Sequence, residues 1–349
     1  MPFARPVQSR RIPTMRHLRT LLAPALIALV LLTGCASPIS AAPPSSGQSG
    51  KAASGAVTFV ATKPFDPSVG APLPDNRIVA AYGILGGGPP NGPASTVDML
   101  DTFLPQLQQL GQQYAALDPT HPVKLGIDLV INSIQPCSAF PRYCSSWPND
   151  PDLQAFVTYC QQRNLLLFLD VQLGTEPVKD AVMNHMLPYL QKYAFVELAL
   201  DTEFHFPDNP QGYADAQGYP CCLGWMNASE INWASDELAQ ISLQNHLPRK
   251  VLIVHQWNPA VLPDKSNIHF NPNVSLVLQS DGFGGYDNKL GDYQAFVQQD
   301  LLQYGGYKLF FHYCDTGCSY DIDPNGVAQP QTPQQVMQIF PQPLFISYQ

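Results

Sequence analysis

"AFVELALDTEFHF" (194–206) sets the reading of the whole chain. Apart from Glu197 its first seven residues are apolar, and then Asp201, Glu203 and His205 follow at alternate positions. In a strand, residues two apart share a face, with a rise of roughly 6 to 7 Å between them. A strand with an apolar body is buried on both sides, as in a parallel sheet covered by helices. One that then ends in two acids and a histidine delivers them to the rim of that sheet.

Seven further runs have the same character: "RIVAAYGIL" (77–85), "VKLGIDLVI" (123–131), "LLLFLDVQL" (165–173), "KVLIVHQW" (250–257), "SLVLQSDGF" (275–283), "YKLFFHY" (307–313) and "PLFISYQ" (343–349). Helical periodicities lie between most of them. Ser95 precedes Met99, Phe103, Leu107 and Leu110. Asp150-Pro151 reads as an N-cap with proline at the first helical position, Thr175 opens a segment with Val178, Val182, Met186 and Leu190, and Asn227 with Glu230 resembles a capping box. Leu290, Tyr293, Val297 and Leu301 mark another helical face. Eight strands alternating with helices over roughly 250 to 300 residues is the count of a single α/β domain of the (β/α)8, TIM-like kind. An open doubly wound sheet would have fewer strands and a nucleotide-binding glycine turn after the first. "GILGGGPPNG" (83–92) fits neither the dinucleotide nor the P-loop spacing and lacks the lysine, so it reads as a corner loop.

The N-terminus carries a different message. Arg16 and Arg19 precede an apolar run (21–32) that is too short for a bilayer, which takes roughly 20 residues, but right for a secretory signal. It closes on "LTGC", which resembles the bacterial lipobox and implies cleavage before Cys35 and lipidation of its thiol. Met15 can serve as the true start. The segment 35–56 is small residues with Pro, Ser and Gly, a flexible tether. The expected organisation is therefore 1–34 signal peptide, 35–56 lipidated linker and 57–349 barrel. That makes an exported protein whose bilayer contact is the Cys35 lipid on the outer face of the cell membrane.

After Cys35 stand 13 basic and 27 acidic residues, a net charge of −14. Nucleic acid binding needs a basic patch and is excluded as a partner. Export permits disulfides. Cys137 with Cys144 and Cys314 with Cys318 are spaced for two local bridges, adjacent Cys221 and Cys222 cannot bond without strain, and Cys160 reads as a buried thiol. No cysteine pair has zinc-site spacing.

In such a barrel, chemistry sits where strands end. Asp170 ends the third run, Asp201, Glu203 and His205 the fourth, His255, Gln256 and Trp257 the fifth, Asp281 the sixth, His312 and Asp315 the seventh, and Tyr348 the eighth. Two carboxylates in one cleft cannot both ionise easily, so one holds a proton near neutrality. That is the working pair of glycosidic cleavage. Glu203, further out, is the expected acid. Asp201 is its modulator, and Asp170 and Asp281 are auxiliaries. His255, Gln256, Trp257, His205 and Tyr348 are expected carbohydrate contacts, with no metal or cofactor required.

"LDTE" resembles the Asp-x-Glu that closes strand four in family 25 lysozymes and family 18 chitinases, whose glutamate is the catalytic acid. The resemblance implies that role for Glu203. Family 18 has a further aspartate where this chain has Ala199, and family 25 has one on strand one, where this chain has "AAYG". The segments "LALD", "IVHQ" and "DGFG" also resemble those of exported actinobacterial proteins, a likeness that implies no activity.

Two alternatives stay open at this point. His205, His255 and His312 with Asp170, Asp281 or Asp315 could hold a hydrolytic metal, although strand one lacks the usual His-x-His. An inactive barrel on a tether could instead bind a glycan or a surface partner. Finally, "DIDPNG" (321–326) matches the start of a calcium loop, but its twelfth position is Thr332 rather than glutamate; otherwise it is a turn.

Overall fold

The computed structural model describes residues 65–87, 91–136, 143–148, 150–207, 224–312 and 319–349. The signal segment, Cys35, the linker, Asp315 and Cys137, Cys221, Cys222, Cys314 and Cys318 lie outside these residues, as does the Cys144 side chain. Cys160 is a buried free thiol, as its spacing implied, and burial pushes its pKa up.

Nine strands form the sheet: β1 (Arg77–Ile84), β2 (Val123–Pro136), β3 (Tyr143–Ser146), β4 (Leu166–Val171), β5 (Val196–Leu200), β6 (Lys250–Gln256), β7 (Val274–Ser280), β8 (Tyr304–Leu309) and β9 (Phe345–Tyr348). Eight of them pair in parallel in the order β1-β2-β4-β5-β6-β7-β8-β9, and β9 returns to β1, closing a (β/α)8 barrel. The ninth, β3, is an antiparallel hairpin partner of the far end of β2; no signal for it was read in the sequence.

The principal helices are α1 (Val97–Leu117), α2 (Asp150–Arg163), the short pieces α3 (Val178–Ala181) and α4 (Leu187–Leu190) joined by a π-turn, α5 (Ala228–Gln244), α6 (Tyr286–Tyr293) and α7 (Pro333–Val336). Thr96 rather than Ser95 caps α1, accepting from the Met99 N–H, while the Ser95 hydroxyl is buried on the Gly92 carbonyl. Asn227 caps α5 without a side-chain bond. Glu230 is drawn instead to His205, both carboxylate oxygens lying 3.1 Å from its Nε2.

Strand alternation sorts the core into two. Val79, Leu129, Leu167, Leu198, Leu252 and Leu278 point outward into the layer under the helices. Ile78, Ala80, Phe168, Ala199, Ile253 and Phe345 point inward, and Leu73 joins them within the barrel. Each large apolar side chain buried this way contributes roughly 1.5 to 3 kcal/mol. Gly306 also faces inward, where a Cβ would lie 2.8 Å from Val277 Cγ1. Its neighbours have already taken that space.

Candidate active site at the C-terminal end of the barrel

Above the apolar plug the inward positions change character. Tyr82 pairs in register with Asp128, Val130 with Asp170, His255 with Gln279, and Lys308 with Ser347. Asp201 and Asp281 follow directly on β5 and β7. The barrel interior therefore ends in a layer of Tyr82, Asp128, Asp170, Asp201, His255, Asp281 and Lys308, each at most 7 % exposed. Asp128, Lys308 and Tyr82 were not read from the sequence as site residues.

A bulge in β2 between Val130 and Asn132 shapes one side of this layer. Asn132 clamps the Gln172 backbone, donating to its carbonyl at 2.9 Å and accepting from its N–H at 3.0 Å. Gln172 thereby presents Nε2 to Asp201 Oδ2 at 3.1 Å. Opposite, Asp281 bridges the two cations: Oδ2 is 2.9 Å from His255 Nδ1 and Oδ1 is 2.9 Å from Lys308 Nζ. The Lys308 ammonium also lies 3.4 Å above the Tyr82 ring centroid, a cation–π contact.

The strand carrying the opening motif ends sooner than its sequence suggests. β5 stops at Leu200, and Thr202–Phe204 form a single 3-10 turn. The Thr202 hydroxyl donates to the His255 carbonyl at 2.7 Å and pins the turn to β6. The Glu203 carbonyl accepts from Gly224. Alternation along a strand is therefore not what relates Asp201 to Glu203; a turn lifts the glutamate onto the rim. Glu203 keeps partial solvent access, and its carboxyl has no hydrogen bond or ion pair to another described residue. Burial first, then the charges of Asp201 and Asp281, raises its pKa well above the carboxylate range.

The cluster as a whole places five carboxylates against two cations. Burial above all pushes Asp128 to about 6 and Asp170 and Asp201 to about 7. Burial would raise Asp281 too, but Lys308 and then His255 hold it at about 2. His255 rises to about 10: burial opposes its charge, and Asp170 and Asp281 overcome that. Both oxygens of Asp128 and of Asp170, Oδ1 of Asp201 and Nε2 of His255 are buried without a hydrogen-bond partner. Native interiors satisfy almost all such atoms.

Other candidates fall elsewhere. Tyr348, expected at the rim, points out of the barrel into the helical layer, where its hydroxyl lies 2.8 Å from that of buried Tyr114. Strand alternation gives the inward place to Ser347 instead. His205 is buried against α5 on Glu230, away from the aspartates. Gln256 is turned outward, its Oε1 accepting from Lys265 Nζ at 2.9 Å. Trp257 is half-buried against the outer core, its Nε1 without an acceptor. His312 is exposed on Tyr320, with ring centroids 4.5 Å apart. The histidine set imagined for a metal is thus dispersed, and only His255 meets the aspartates. The calcium reading of 321–326 also fails. Asp321 is buried 3.0 Å from Lys289 Nζ, and Asp323 accepts the N–H groups of its own turn.

At the upper ends of β1 and β2 lies a groove of about 490 Å³, lined in part by Ile84, Val130, Ser133, Trp147, Asp152 and Phe156. Ile84 and Val130 stand one pleat above Tyr82 and Asp128 on the same strands. Trp147 is held in place: its ring stacks on His185 at 3.9 Å, and its Nε1 donates to Glu176 at 2.8 Å.

No family model and no curated protein matches the chain. Among solved structures it is similar to the xylanase and α-amylase inhibitor protein XAIP-II of Scadoxus multiflorus, at 11% identity and a TM-score of 0.35, covering 78% of this chain and 92% of that one. It is also similar to the chitinase RmChi1 of Rhizomucor miehei, at 13% identity and a TM-score of 0.32, covering 74% and 81%.

Proposed function

We propose that the barrel cleaves a glycosidic bond in a cell-wall or environmental glycan, with Glu203 as the proton donor and Asp201 beneath it as modulator. The observation that carries this reading is the state of Glu203. It is a rim carboxyl with no hydrogen bond or ion pair to another described residue, and burial and two neighbouring acids favour its protonated form. A glycosidase acid must hold a proton near neutral pH and release it to the leaving oxygen. Asp201 is fixed by Gln172 on one oxygen, and its other oxygen is without a hydrogen bond, so it can share charge with the glutamate above. The groove at the upper ends of β1 and β2 offers what sugars need: a fixed aromatic plate at Trp147 and the Ser133 hydroxyl.

The protein would work at the outer face of the cell membrane, held by a lipid on Cys35. Among the described residues no helix is long and apolar enough to cross a membrane. The test is glycan release from peptidoglycan, chitin oligosaccharides and plant polysaccharides by wild type and Glu203→Gln. Release by the wild type alone supports the assignment, and equal release by both removes Glu203 from it. Binding without release by either protein would favour the second reading, a tethered glycan-binding barrel.

A further inference from the structure

We infer that the throat of the barrel binds one first-row divalent cation of the Zn²⁺ or Mn²⁺ type, on Asp128, Asp170 and Nε2 of His255. This goes beyond the glycan reading and does not depend on it.

His255 is held from one side and open on the other. Its Nδ1 lies 2.9 Å from Asp281 Oδ2, and Asp281 is itself anchored by Lys308. That bond fixes the ring and aims Nε2 at two carboxylates, 3.8 Å from Asp170 Oδ2 and 4.0 Å from Asp128 Oδ2. Metal-binding histidines are commonly oriented in this way, with one nitrogen on a carboxylate and the other on the ion. His255 is 2 % exposed and Asp128 and Asp170 are fully buried. Nε2 and all four oxygens of the two aspartates lack a hydrogen-bond partner.

A proton on Nε2 does not satisfy these atoms, because a hydrogen bond closes at about 2.7 to 3.2 Å. A metal ion does. Ligand atoms on a tetrahedral ion stand roughly 3.4 Å apart, so the observed spacings need only small side-chain rotations. One imidazole with two carboxylates suits zinc or manganese better than calcium or magnesium, which take oxygen donors. At the lower end of the barrel the described groups are differently arranged: Arg77 and Lys250 are engaged, and the one unpartnered Glu197 oxygen has no imidazole aimed at it among the described residues.

The test uses the full chain, purified without chelators and assayed for zinc and manganese. It is then stripped and titrated with Zn²⁺ by calorimetry, beside Asp128→Asn, Asp170→Asn, their double variant and Glu203→Gln. One equivalent is expected in the wild type and in Glu203→Gln, with at least tenfold weaker binding in each aspartate variant. Zn²⁺ should raise the melting temperature of the wild type and not of the double variant. The asparagine changes remove buried charge without changing shape, so the variants remain folded, which a melting curve checks. Absence of binding and of any melting shift in the wild type would overturn the site. So would one equivalent bound with undiminished affinity by the double variant. Because Glu203→Gln reads the cation without turnover, failure here and failure of the glycan reading are separate results.

Discussion

The two ends of the barrel bury charge in opposite ways. At the lower end Arg77 is fully buried, yet it donates from Nε to the Pro343 carbonyl, from Nη1 to Asp118 and from Nη2 to Gln342. Lys250, equally buried, donates to the Tyr193 and Val196 carbonyls, and Glu197 accepts the Val251 N–H on one oxygen, its other oxygen alone having no hydrogen bond. At the upper end the burial of Asp128 and Asp170 is as deep, but neither has a donor, and the half-buried Glu203 carboxyl has no hydrogen bond or ion pair to another described residue. Burial alone therefore says little. Partnered charge fastens a scaffold, while unpartnered buried charge marks where something else has to bind or react.

This contrast can be broken from either side. The largest effect is expected at the top: Glu203→Gln should lower kcat for glycan release by about 10³-fold, within the range for a positioned acid, with little change in melting temperature. At the bottom the signs reverse. Arg77→Ala removes the cation from Asp118, which keeps Thr120 and His121, and leaves the Pro343 carbonyl and Gln342 without their donor; it should cost about 3 kcal/mol in urea unfolding. A neutral Arg77→Ala would erase the distinction.

Asp128→Asn should instead stabilise the chelator-treated protein at pH 8, by about 1 kcal/mol, because it removes an unpartnered buried charge. The pH profile has the same origin. Asp128, Asp170 and Asp201 sit at about 6, 7 and 7 in the folded chain, above the unfolded value of about 3.9. The folded state thus binds more protons between about pH 4 and 7, and stability falls as pH rises through that window. His255, at about 10, extends the fall from about pH 6.5 to 10. Thermal melts of the chelator-treated protein from pH 5 to 8 should show this decline, and a shallower one in Asp128→Asn. The smallest effect is expected at Tyr348→Phe, which loses one hydrogen bond to Tyr114, about 1 kcal/mol. It should leave glycan release intact.

How much was legible beforehand follows from the same physics. Near-continuous apolar runs are the signature of strands buried on both faces, so all eight barrel strands could be read. The hairpin strand β3 could not, because its "YCSS" pairs with β2 rather than burying an apolar face. Asp170, Asp201, Glu203 and Asp281 stood out because they end apolar runs. Asp128 and Lys308 lie inside theirs, in "GIDLV" and "GYKLF", and a lone charge within a buried strand was the signal that would have found them. Tyr348 went wrong by one residue of alternation, since Ser347 takes the inward face. Glu203 was placed on the rim for an incomplete reason: the Thr202 hydroxyl, by capturing the His255 carbonyl, ends the strand and makes the turn.

Burial, with Asp201 and Asp281 beside it, raises the Glu203 pKa well above the ordinary carboxylate range. Carbon-13 NMR of glutamate-labelled protein, with Glu203→Gln identifying the resonance, measures this directly. The expected result is a Glu203 carboxyl that titrates well above the ordinary carboxylate range. A carboxyl that ionises near pH 4.5, like any exposed glutamate, would contradict it.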